Sequence, residues 1–123
     1  MPKTNRETTE FKDYGPVLSG ATDLGGYTAD FLTFKEDVDG APLLKGLPND
    51  QCHCPHWGLV TKGSLSFAFD DHVEVYEAGD AYYVPPGHTP ASKGDTETLM
   101  FSPTDLLAIT EETMMRNMQA QHA

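Results

Sequence analysis

Arginine is nearly absent from this chain of 123 residues. Only Arg6 and Arg116 occur, both near the ends. Bidentate clamps on phosphate and carboxylate usually use arginine, so a phosphorylated substrate is disfavoured. Lysine and arginine together number 8 against 19 acidic residues, a net charge of −11. Such a field repels phosphate backbones and anionic lipid, so neither nucleic acid nor a membrane is expected as a partner. No apolar run approaches the roughly 18 residues of a membrane span. The segment from Met1 to Asp13 is polar and lacks the apolar stretch of a secretory signal, so a cytoplasmic location is expected. Cysteine is also scarce. Cys52 and Cys54 stand one residue apart, and a disulfide between them would be strained and would restrain little of the unfolded chain. In a reducing compartment, such a pair beside histidines points to metal binding or thiol chemistry.

What the chain does have is punctuation. Nine prolines and eleven glycines interrupt short apolar runs, which predicts turns and short strands rather than long helices. The length suits one domain with a real core. Residues 1–13 are expected as a flexible arm and 14–123 as a single domain. The run Tyr27 to Lys35 is rich in aromatic and β-branched residues and reads as a strand. In the next clear strand Leu65, Phe67 and Phe69 alternate with Ser64, Ser66 and Ala68, the period-two pattern of a half-buried strand. A turn at Asp70, Asp71 and His72 then returns the chain through Val73 to Tyr76 as a hairpin, with Val73 and Val75 on one face. Glu74 and Glu77 read as a solvated face. Ala81 to Val84 and Thr98 to Phe101 are further strands. Ser102, Pro103 and Asp105 resemble a helix start, opening a helical segment over 103–121 with a methionine stripe and a break at Ile109-Thr110. Many short strands and one terminal helix predict an all-β fold, a small barrel or jelly roll with a C-terminal helix.

The run Gly79 to Pro90, GDAYYVPPGHTP, resembles the second sequence motif of the cupin superfamily. Gly79, Pro85 and Gly87 fall at the family spacing, and Lys62-Gly63 resembles the close of the first motif. The resemblance implies a small single-domain cupin barrel. The usual ligands differ here. His56 stands where the family's first motif has glutamate, and Cys52 and Asp50 stand where it has its two histidines. In the second motif Pro90 holds the histidine position, and His88 lies two residues earlier.

Side chains two apart on a strand share a face. Asp50, Cys52, Cys54 and His56 therefore share one parity, and His53, Pro55 and Trp57 the other. A regular strand would hold Cys52 and His56 about 13 Å apart, too far for one ion, unless Pro55 bends the chain. The expected metal ligands are Cys52, Cys54, His56 and His88. Two thiolates and two imidazoles suit tetrahedral zinc best, with iron or copper as alternatives. One cysteine as a core residue is the competing reading, so His53 stays open as a replacement ligand, although its parity favours an outward position. His72 and His122 read as solvated, and Trp57 as a packing anchor. Tyr82 and Tyr83 alternate, so one faces the interior.

The function expected from these residues is a metal-binding small cupin that holds a small organic ligand in its barrel. The alternative is a metal-dependent enzyme, a dioxygenase or an isomerase/lyase, acting on a small non-phosphorylated molecule. A purely structural zinc clip is the third reading. A homodimer is expected, because the polar arm and the methionine-bearing helix could cover edge strands of a second copy.

Overall fold

A computed structural model describes residues 2–121, so the reading of His122 lies outside the described residues. Ten strands and one α-helix are assigned among them: β1 (Lys12–Asp13), β2 (Val17–Leu24), β3 (Tyr27–Phe34), β4 (Val38–Asp39), β5 (His56–Lys62), β6 (Ser64–Ala68), β7 (Val73–Glu77), β8 (Ala81–Val84), β9 (Thr89–Ser92), β10 (Thr96–Pro103) and α1 (Thr104–Gln121). Two short 3₁₀ turns, Ala41–Leu44 and Pro48–Asp50, lie in the Pro/Gly-rich stretch between β4 and β5. The strands form a six-stranded sheet in the order β1-β2-β3-β10-β5-β8 and a four-stranded sheet in the order β4-β9-β6-β7. Every pairing is antiparallel. The all-β jelly roll with a C-terminal helix, expected from the sequence, is the architecture. No helix among the described residues is long and apolar enough to cross a membrane.

Local chemistry explains the elements. Gly25 and Gly26 join β2 to β3 with φ of 69° and 91°, the doubly left-handed turn that a tight hairpin needs and glycine permits. On β6, Leu65 and Phe67 are buried, and with Val60, Tyr82 and Val84 they make the main core. Residues opposite each other in an antiparallel pair share a face. Leu65 faces Tyr76 and Phe67 faces Glu74, so the register turns Tyr76 and Glu74 toward the barrel and leaves Val73 and Val75 exposed. Glu74, expected on a solvated face, keeps a side chain that is 43% exposed although its register sets it opposite Phe67. It accepts a 2.7 Å hydrogen bond from the Tyr76 hydroxyl.

The helix begins later than expected. Ser102 and Pro103 end β10, and Thr104 opens α1. The helix also runs unbroken through Ile109-Thr110 for 18 residues. Thr110 is buried against the barrel, so tertiary contact overrides its weak helix propensity. Asn117 anchors the far end by donating to the carbonyls of Leu43 and Lys45, at 2.7 and 2.9 Å. Leu107 and Met114 pack on a second core of Leu44, Leu47, Cys52 and Cys54. The methionine-bearing helix thus closes its own barrel.

The N-terminal segment, expected as a flexible arm, lies on its own sheet. Lys12–Asp13 pair with β2. Arg6 bonds the Thr33 hydroxyl and forms an ion pair with Glu97 at 3.1 Å. Thr9 and Phe11 sit over Gly20, where an added Cβ would lie 2.7 Å from the Thr9 methyl. Trp57, expected as a core anchor, is on the outer face of the large sheet, 41% exposed and flanked by Tyr27 and Tyr83. Tyr82 faces inward and Tyr83 outward, as alternation requires.

Candidate metal centre and the adjoining cavity

Backbone pairing between two separate segments builds the site. Cys52 N–H donates to the His88 carbonyl at 2.8 Å, and the N–H groups of Gly87 and His88 both donate to the Cys52 carbonyl, at 2.9 and 3.1 Å. The Pro-Pro-Gly corner after β8 thereby brings His88 level with Cys52. The segment between Cys52 and His56 is not a strand. It follows a turn in which Asn49 and Asp50 take φ of 57° and 54°, and it contains Pro55. The chain doubles back, and Cys52 Sγ lies 3.7 Å from His56 Nε2.

Cys52, His56 and His88 each offer one ligand atom, and the three atoms lie within 4.8 Å of one another. All three residues are buried. Zinc with bonds of about 2.0–2.3 Å spaces its ligands by about 3.5 Å in a tetrahedron, so the donor set fits such an ion. The clearest sign is His88. Its ring is fully buried, its Nδ1–H donates to the Pro85 carbonyl at 2.7 Å, and its Nε2 has no hydrogen-bond partner among the described residues. A buried polar atom left unpaired is costly and calls for a partner such as an ion. His56 is oriented in the same manner, with Nδ1 2.7 Å from Ser102 Oγ and Nε2 toward the centre. Hydrogen bonding of the second ring nitrogen is how metal-binding histidines are usually aimed.

Electrostatics suit neutral donors. Burial, and then the neighbouring His88, push the His56 pKa down to about 3. Burial lowers that of His88 as well. Both imidazoles are therefore neutral at physiological pH, with lone pairs available. Burial raises the Cys52 thiol, which also lies 3.5 Å from Thr110 Oγ1 on α1.

Cys54 is not part of this group. Its Sγ lies 3.5 Å from the Pro55 carbonyl and packs among Leu44 and Leu47. Burial, and then Cys52, push its thiol up to about 12. The parity that joined Cys54 to Cys52 holds only along a strand, and residues 53–55 are not in one. His53 is exposed, with Nε2 2.7 Å from the Pro48 carbonyl. His72 is exposed beside Asp71. Ser102 and Thr110, read from sequence as helix cap and helix break, are the neighbours of His56 and Cys52. No local signal marks either role, because each contact spans distant segments.

A cavity of about 500 Å³ adjoins the centre, with Cys52 and His56 in its wall. Leu44, Phe67, Met100 and Met114 supply much of its apolar surface. Asp30 on β3 also lines it and accepts from the Ser19 hydroxyl at 2.8 and 3.0 Å. Asp30 shares a face with Leu32 and Phe34, but the other face of β3 carries Ala29 and Phe31, so alternation alone does not choose between faces.

Burial raises the Asp30 pKa from 3.8 to about 6, with Ser19 opposing and Glu111 adding to the effect. The folded state therefore holds this proton more tightly than the unfolded state. The sign follows: stability falls as pH rises through the window from 3.8 to about 6. Asp30→Asn should accordingly raise the stability of the metal-free protein at pH 7 by about 2–3 kcal/mol, since one pKa unit is 1.36 kcal/mol. Urea unfolding at pH 7 and at pH 4 checks this. The gain should shrink at the lower pH, and an equal gain at both would refute the assignment.

No protein-family model and no curated protein matches the chain. Solved structures do. An RmlC-like cupin from Shewanella frigidimarina NCIMB 400 superposes with a TM-score of 0.57 at 21% identity, over 81% of this chain and 88% of that one. KdgF from Halomonas sp. gives 0.57 at 15% identity, over 80% and 92%. A cupin superfamily protein from Desulfitobacterium hafniense DCB-2 gives 0.56 at 19% identity, over 72% and 78%. With the two-sheet topology, these likenesses establish that the chain has the cupin fold.

Proposed function

We propose that the protein is a metal-binding small cupin that holds a small organic ligand in the cavity beside a zinc centre of Cys52, His56 and His88. The observation that carries this reading is the buried, unpartnered Nε2 of His88 within reach of two other soft or borderline donors. Sulfur in the set disfavours magnesium, calcium and manganese. Zinc bound there would supply a Lewis-acid position to a ligand heteroatom. The chain's own residues do the rest. Ser102 and the Pro85 carbonyl fix the two rings, Thr110 packs the helix against the thiol, and the apolar wall excludes water.

The ligand count favours a second reading, a metal-dependent enzyme acting on a small non-phosphorylated molecule. Three protein donors rather than four leave a tetrahedral ion one position for substrate or water, as in catalytic zinc sites. Elemental analysis and X-ray absorption on the purified protein test both readings. One zinc per chain with one sulfur, two imidazoles and a light fourth ligand is expected. A shell with two sulfurs would instead make the site a structural clip that includes Cys54. Absence of zinc after supply at neutral pH under reducing conditions would remove the centre altogether.

A further inference from the structure

We propose that the ligand of this cavity is a small apolar molecule bearing an amine, and that Asp30 and Glu111 receive its ammonium group. This rests on the reading of the barrel as a ligand chamber and adds the chemical class that it takes. The cavity wall is mostly apolar, yet two carboxylates enter it from opposite elements. Asp30 comes from β3 and Glu111 from α1, and both line the cavity; the Glu111 charge makes Asp30 harder to ionise, and burial does the same to Glu111. Asp30 has only the neutral Ser19 hydroxyl and backbone as hydrogen-bond partners. Lys12 is the one lysine or arginine in the wall, and it acts on Glu111 rather than on Asp30.

A carboxylate or phosphate ligand would meet like charge at this wall. A cation supplies the countercharge that Asp30 lacks, in a low-dielectric setting where opposite charges attract strongly. A second observation points to a ligand independently. Ser92 on β9 also lines the cavity. It is paired in register with the buried Leu65, is only 8% exposed, and its hydroxyl has no hydrogen-bond partner among the described residues. Buried hydroxyls in folded proteins are nearly always bonded, so a polar atom of the ligand is the natural complement. Two carboxylates, an unpaired hydroxyl and a long apolar wall together describe an amphiphilic amine.

Isothermal titration of the full chain tests this, with hexylamine, 1-hexanol and hexanoate as probes of one size and three charges. Hexyltrimethylammonium serves as a cation that cannot ligate metal. Each is titrated into zinc-loaded and into EDTA-treated protein. Both cations are expected to bind at least about tenfold more tightly than the alcohol or the acid in either form. Asp30→Asn and Glu111→Gln should each cut cation binding by about tenfold or more. The Asp30→Asn protein should melt no lower than wild type, which separates lost recognition from lost folding.

Equal binding of all probes, preference for hexanoate, or no binding of either cation overturns the proposal. So does hexylamine binding confined to the zinc-loaded form and unaffected by either substitution, because the amine would then be ligating the metal. Zinc titration of the same samples keeps the two readings apart. Cation binding without zinc binding leaves this proposal standing and removes the metal centre. Zinc binding without cation binding does the reverse.

Discussion

His56→Ala is expected to weaken zinc binding by more than about a hundredfold, while Cys54→Ala leaves it within about threefold. The contrast follows from geometry. His56 Nε2 lies 3.7 Å from Cys52 Sγ, and no other imidazole or thiol reaches that position among the described residues. Cys54 Sγ lies 3.5 Å from the Pro55 carbonyl, outside the group of three converging donors. Ser102→Ala should fall between the two, at about 10- to 100-fold, the usual effect of removing a partner that orients a metal-binding ring. His53→Ala should change little, since that ring is exposed on the Pro48 carbonyl. Competition with a chromogenic chelator under reducing conditions gives the affinities. If Cys54→Ala loses the metal and His56→Ala keeps it, the ligand set is wrong.

The second large effect is on stability. Phe67 is 1% exposed and touches both sides of the barrel interior. Its ring meets His88 edge-on at 5.2 Å, Tyr76 at 5.9 Å and Tyr82 at 6.1 Å. Phe67→Ala removes these contacts and leaves a cavity beside the metal-binding rings. The expected cost is about 3–5 kcal/mol, the range for burying and then deleting such a ring. Urea unfolding of the metal-free protein measures it. Val75→Ala is the control, because Val75 is 56% exposed on the neighbouring strand and should shift stability by no more than about 0.5 kcal/mol. A Phe67→Ala cost below about 1 kcal/mol would mean that the β6 face is misassigned.

The contrast between these two residues shows where pattern reading succeeds and where it stops. Alternation placed Leu65 and Phe67 inside because the opposite face of β6 carries only Ser64, Ser66 and Ala68. Alternation could not place Glu74, since valines and a tyrosine lie on opposite faces of β7. Pairing with β6 decided that, and it overrode the hydrophobicity of Val73 and Val75.

The sequence alone determined the class of fold and the two segments that meet. Turn chemistry at Gly63, Gly79 and Pro85-Pro86-Gly87 is local: φ of 82°, 97° and 93° at the three glycines requires a residue without a Cβ, whatever surrounds it. That punctuation, together with period-two strands, was enough for a small antiparallel barrel, and the concentration of Cys and His in residues 52–56 marked where chemistry would lie. Only the tertiary structure decided which donors converge. The face shared by Cys52, Cys54 and His56 exists only on extended strand, and residues 53–55, with Pro55 among them, are not in a strand, so Cys54 need not follow the other two. Ser102 meets His56 across 46 residues and Thr110 meets Cys52 across 58. Such contacts arise from closing the two sheets and laying α1 against the barrel. No local propensity encodes them, because their energy is gained only once the distant segments are already packed together.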